Sequence, residues 1–168
     1  MAKTKFKTLP PYRESLAGVL LAAREAAMAP FRPMLRDAGV TEQQWRVLRV
    51  LDNQGPTDPT RLANLALLYS PSVARILREL ADRKLIIRKQ DPTDLRRAVI
   101  SLSNSGRALI RETSRYTVRA LNEYTERFGA ERLERLIDEL RAFTETIAPL
   151  APQSEQKEGR PSSSVDSR

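Results

Sequence analysis

The sequence predicts a mainly α-helical fold with a small β-hairpin wing, a winged helix-turn-helix, and three observations carry that prediction. Apolar residues recur at helical spacing through most of the chain, while aromatic residues make up only 5% of it. Two proline-initiated segments, at Asp58-Pro59 and Ser70-Pro71, follow one another across a tight connection. Two short apolar runs, 85–87 and 98–100, flank a turn that ends in Arg96 and Arg97. Two short helices joined by a tight turn outline a helix-turn-helix, and a hairpin directly after them makes it winged.

Each element has its own signal. Lys3, Lys5 and Lys7 precede Pro10-Pro11, so residues 1–11 read as a basic mobile arm. Over 14–38, Leu16, Val19, Leu20, Ala23, Ala27 and Met28 recur at helical spacing. Pro30 and Pro33 should kink or break that helix, and Gly39 should stop it. Thr41 with Gln44 three positions on fits a capping box, opening a helix that carries Trp45, Val47, Leu48, Val50 and Leu51. Asp58 caps a short helix with Leu62, Ala63, Leu65 and Ala66 on its apolar side. After the tight stretch 67–69, Ser70 should cap a second short helix that buries Val73, Ile76, Leu77 and Leu80 and ends around 82–84. Beyond the hairpin, Ser103 caps a long helix over about 104–128, which Gly129 ends. A last helix, about 130–148, carries Leu133, Leu136, Ile137, Leu140, Phe143 and Ile147. From Ala151 the chain is rich in Ser, Pro and charge with little to bury, so 150–168 reads as a disordered tail. The folded part is one domain, 12–149.

Composition narrows the chemistry. The net charge of +8 and pI of about 10.3 point to a polyanionic partner, the alternative being a basic but merely solvated surface. The chain has neither cysteine nor histidine, which excludes disulfides, thiol nucleophiles, zinc sites of the usual ligands and a Ser-His-Asp site. No metal or other cofactor is implied. With no glycine-rich phosphate loop and no recognisable carboxylate pair, the sequence does not point to an enzyme. No apolar run reaches the roughly 18 residues of a membrane span, and no apolar core follows the basic N-terminus as in a signal peptide. A cytoplasmic protein, not associated with a membrane, is expected.

The positive charge has a location. Residues 61–97 hold nine Lys or Arg and four acids, a surplus of five out of the total of +8. On the second short helix, Ser72, Arg75 and Glu79 share the face opposite the apolar stripe, with Arg78 beside them and Ser70 at the start. Such a helix fits the major groove of double-stranded DNA, where Arg reads guanine and Ser contacts bases or phosphates. The exposed helix N-terminus suits a phosphate. At the hairpin tip an exposed Arg96 or Arg97 fits a narrow A·T-rich minor groove, with Asp94 placed to hold Arg96 beforehand. The plainer readings are a solvated helix face and a surface Asp–Arg pair of little worth.

Two stretches carry a family resemblance. LANLALLYSPSVARILRELADRKLI and DPTDLRRAVISLSNSG resemble the MarR family of winged helix-turn-helix regulators, with its D-x-R wing and Leu-Thr-x-x-Gly helix start. Here Leu102-Ser103 stands at Leu-Thr, and Gly106 follows. Residues 20–51, with REAAM, FRP and TEQQWR, resemble the regulators of homoprotocatechuate degradation operons within that family. The resemblance spans about 14–147. It implies a homodimer in which helices from both chain ends, 12–40 and 103–149, form the interface. The lobe 41–102 would place its recognition helices in successive major grooves of a pseudo-palindromic operator, about 10 bp apart. The apolar residues of the last helix need such a partner surface.

The resemblance further implies a small aromatic acid as effector, such as homoprotocatechuate or a hydroxyphenylacetate, bound between the dimerisation helices and the DNA-binding lobe. A carboxylate wants an arginine, and a ring wants an apolar, aromatic or sulfur-lined wall. Arg24, Met28 and Phe31 on the first helix, Trp45 and Arg46 on the next, and Ser15 near the start are the candidates, with Arg24 as carboxylate partner. Against this, Trp45 is the kind of residue that fills a core, Met28 and Phe31 suit a dimer interface, and Arg24 has acids to pair with in Glu42 or in Glu25 of the partner subunit. The expected protein is a sequence-specific transcriptional regulator, a repressor of an aromatic-acid catabolic operon released by its effector. The alternative is a DNA-binding regulator or architectural protein with no small-molecule effector.

Overall fold

The computed structural model describes residues 8–90, 94 and 97–148, and the side chains of all of these but 70 and 71. The basic arm up to residue 7, the tail 150–168 and Arg96 lie outside the described residues. Contacts group the chain into two compact units that divide after Glu123.

The first unit opens with a 3-10 turn, Tyr12–Glu14, and helix α1, Leu16–Met28. Ser15 caps α1: its hydroxyl accepts from the Gly18 N–H at 3.1 Å and donates to the Tyr12 carbonyl at 2.6 Å. The proline break expected near residue 30 is present. A short α2, Phe31–Asp37, follows, and Gly39 ends it at a φ of 64°. Helix α3, Glu42–Gln54, starts with the full capping box between Thr41 and Gln44. Helix α4, Pro59–Leu65, is capped by Asp58, whose carboxylate accepts from the N–H groups of Thr60 and Arg61.

Helix α5, Ser70–Asp82, differs from expectation at its start. Tyr69 occupies the cap position and Ser70 is the first helical residue. Proline suits either of the first two helical positions, so Ser-Pro alone leaves the cap one residue ambiguous. Strands β1, Ile86–Gln90, and β2, Ala98–Leu102, pair antiparallel in the register Ile86 with Leu102 and Arg88 with Ile100. Thr57, between α3 and α4, exchanges two backbone hydrogen bonds with Ile100, at 2.8 and 3.0 Å, so β2 is held on both edges. The core gathers where these elements meet: Leu48, Leu62, Ile76, Leu80 and Ile100 have at most 1% of their surface exposed.

Helix α6, Asn104–Phe128, begins in the first unit. Ser103 caps it by accepting from the Gly106 N–H at 2.9 Å, and donates to the Lys84 carbonyl at 2.6 Å, tying α6 to the end of α5. Ser103→Ala should therefore lower stability by about 0.5–2 kcal/mol in urea unfolding, whereas Ser103→Thr, which keeps both bonds, should stay near wild type. In the second unit, Gly129 turns the chain at a φ of 91° into helix α7, Ala130–Ile147. No residue of α7 is buried, and Leu136, Ile137, Leu140 and Ile147 are all at least 38% exposed. None of the described helices is long and apolar enough to cross a membrane.

Candidate DNA interface and effector site

Helix α5 separates core from surface cleanly. Val73, Ile76, Leu77 and Leu80 are buried, while Arg75 and Arg78 are exposed and Ser72 is half-buried in the first turns. The side chain of Ser70 lies outside the described residues. Arg75 pairs with Glu79 one turn on, Nη1 to Oε1 at 2.6 Å. The other Glu79 oxygen accepts from Nε2 of Gln44 on α3 at 2.9 Å. Arg46, also on α3, donates through Nη1 to the carbonyls of Ala66 and Leu67, at 3.1 and 3.3 Å. It thereby clamps the turn between α4 and α5, where Leu67 adopts a φ of 52°.

The wing contributes further cations. Arg97 is exposed, and its backbone N–H donates to the Asp94 carbonyl at 2.9 Å, closing the end of the tip. A cleft of about 630 Å³ runs between α4 and the wing, lined by Asp58, Thr60, Arg61 and Asn64 on one side and Arg88 and Arg97 on the other. Among the described residues none of these three guanidinium groups has an acidic partner. Asp58 is occupied as the α4 cap. Sequence reasoning passed over Arg61 and Arg88 because they stand on different elements and meet only in three dimensions.

The residues proposed for an effector are only partly brought together. Trp45 is buried against Phe31, ring centroids 5.7 Å apart, and Met28 is half-buried. Arg24 bridges two carboxylates, Glu25 at 2.9 Å and Glu42 in closer contact, so within one chain its charge is already met. Ser15 is committed to the α1 cap and Arg46 to the α4–α5 turn. Two features were not foreseen. Arg49 lies over the Trp45 ring, 5.4 Å from its centroid. The i, i+4 spacing of Trp45 and Arg49 was the available signal. The Trp45 Nε1–H is buried with no acceptor among the described residues, an arrangement proteins rarely leave unmet.

A winged helix-turn-helix that concentrates its positive charge on the second helix and wing defines a DNA-binding transcriptional regulator. The MarR family model matches residues 40–98. The chain is 36% identical over 119 residues to the HTH-type transcriptional regulator FarR of Neisseria gonorrhoeae, covering 71% of this chain and 82% of that one. It is 35% identical over 130 residues to the homoprotocatechuate degradative operon repressor of Escherichia coli, covering 77% and 88%. The crystal structure of NadR in complex with 4-hydroxyphenylacetate superposes with a TM-score of 0.72 at 33% identity, over 81% of this chain and 99% of NadR. This chain belongs to the MarR family of transcriptional regulators. The resemblance read from residues 20–51 and from the wing motif is borne out.

Proposed function

We propose that this protein is a homodimeric repressor of an operon for aromatic-acid breakdown, released from a pseudo-palindromic operator by a small aromatic acid. Homoprotocatechuate and 4-hydroxyphenylacetate are the leading effectors. The observation that carries the reading is Trp45: a buried ring whose N–H donor is unmet among the described residues, Phe31 at one side and the Arg49 cation over its face. A hydroxylated ring with a carboxylate supplies an apolar face, an acceptor and a negative charge, which are the three things this site wants. The names of the Escherichia coli relative and of the NadR complex agree with that chemistry. Residues 12–40 and 103–149 form the dimer in this reading, and 41–102 the DNA-binding lobe. Its support is the apolar surface left open on α1 by Leu16, Val19 and Leu21, on α6 by Val118 and Leu121, and along α7.

Release is a population shift. The acid favours one spacing of the recognition helices, DNA another, and affinity falls by the effector's preference between them. The test is fluorescence anisotropy on the operator, titrated with each acid. Operator affinity should fall at least about tenfold at saturating effector, a coupling of typical size. Trp45→Phe keeps the ring and deletes the N–H, so effector binding should weaken by about tenfold while operator affinity without effector is retained. The second reading, a regulator with no small-molecule effector, draws on the Arg24 charge already met by Glu25 and Glu42. It predicts no release by any aromatic acid.

A further inference from the structure

Glu79 has both carboxylate oxygens engaged, one facing inward and one outward. The inward oxygen is held by Gln44 Nε2 at 2.9 Å. Gln44 is itself fixed: it is 6% exposed, its Oε1 accepts from the Thr41 N–H at 3.0 Å, and its own N–H donates to Thr41 Oγ1 at 3.1 Å. The outward oxygen holds Arg75 Nη1 at 2.6 Å. An ordinary exposed i, i+4 ion pair is floppy and worth little. This one differs because its acid is anchored to a buried amide that belongs to the cap of α3.

We propose that Glu79, held by Gln44, is a positioning residue that fixes the Arg75 guanidinium for reading one guanine in the major groove. With Nη1 taken by Glu79, the edge formed by Nη2 and Nε has no partner among the described residues. That edge is the planar pair of donors that guanine O6 and N7 accept. Arg75 side-chain rotors are ordered before DNA arrives, so less freedom is lost on contact. An acid beside DNA repels phosphate, so its value here lies in discrimination and not in raw affinity.

The inference rests on the DNA-binding reading above, and the test separates the two. Preferred duplexes are selected from a randomised pool with the wild-type protein. Each operator position is then varied and measured by anisotropy with wild type, Arg75→Lys, Glu79→Gln and the double variant. Arg75→Lys should lose preference for guanine at one position per half-site. Glu79→Gln should lose about tenfold in preference at that same position, while affinity for the other three bases holds or rises. The double variant should lose little more than Arg75→Lys alone. Gln44→Met, which cuts the anchor from inside, should show the same positional loss. If Glu79→Gln keeps the guanine preference, or weakens all sequences alike with a lowered Tm, Glu79 is structural and the proposal falls while DNA binding stands. If the wild type selects no sequence, the DNA reading falls and takes the proposal with it.

Discussion

Replacing Arg61, Arg88 and Arg97 together by alanine is expected to flatten the salt dependence of DNA binding and leave sequence preference intact. The three arginines line one cleft between α4 and the wing with no acidic partner among the described residues. Successive phosphates of the DNA backbone are the natural occupants of such a cleft, one for each guanidinium group. Each phosphate neutralised releases condensed counterions and contributes about 0.9 to the slope of log affinity against log salt. Three contacts per protomer, doubled in a dimer, amount to a slope change of about 5. Between 50 and 200 mM salt, the wild type should then lose affinity about 10³-fold more steeply than the triple variant. The loss should be the same for preferred and scrambled duplexes, since phosphates carry no sequence. A triple variant with the wild-type slope would show that the cleft faces away from DNA.

Gly106→Ala should be the most damaging single small substitution in the fold. A Cβ at this position would stand 2.1 Å from the Leu85 carbonyl oxygen and 3.1 Å from Leu102 Cδ2. The same Leu85 carbonyl accepts from the Ser103 N–H at 3.1 Å, and the Gly106 N–H bonds the Ser103 hydroxyl. Neither backbone can give without loosening the cap of α6 and the root of the wing. Overpacking of this kind costs about 1–3 kcal/mol. The upper figure corresponds to a fall in Tm of roughly 6–12 °C for a chain of this length. Gly18→Ala is the informative control. Its Cβ would stand 2.0 Å from the Tyr12 carbonyl oxygen, an equally severe clash, but against a 3-10 turn with no buried residue. That turn can swing aside, so a loss under about 1 kcal/mol is expected. Equal losses in the two variants would mean that the N-terminal turn is as firmly held as the wing.

The contrast between these glycines mirrors what was legible in the sequence. Helix boundaries were readable wherever one residue sets them: Thr41, Asp58 and Ser103 as caps, Pro30 as a break, Gly39 and Gly129 as stops. The hairpin was readable from two apolar runs around a polar turn. Features built from distant parts of the chain left no local mark. The Thr57–Ile100 bridge, the Gln44–Glu79 bond and the meeting of Arg61 with Arg88 depend on packing that no window of sequence contains. Arginine was the hardest residue to read. Arg24 looked like a ligand cation because its helix is alanine-rich, yet it spans Glu25 and Glu42. Arg46 looked like a pocket residue by adjacency to Trp45, yet it clamps the helix-turn-helix turn. A guanidinium is long enough to serve several sites, so its position along the chain says little about where its charge goes.

Trp45 is the chain's one tryptophan, and it is buried against Phe31 beneath Arg49. Under excitation that tyrosine does not absorb, the protein's emission therefore originates at the proposed effector site. An acid that supplies an acceptor to Nε1–H and draws Arg49 from the ring changes both the polarity and the quenching of that indole. Occupancy can be followed without a label and at concentrations well below those of a calorimeter. The recognition face of α5 and the wing carry no tryptophan of their own. Any spectral change that unmodified operator DNA produces has to pass through the fold, so its size reports the communication between the two sites directly.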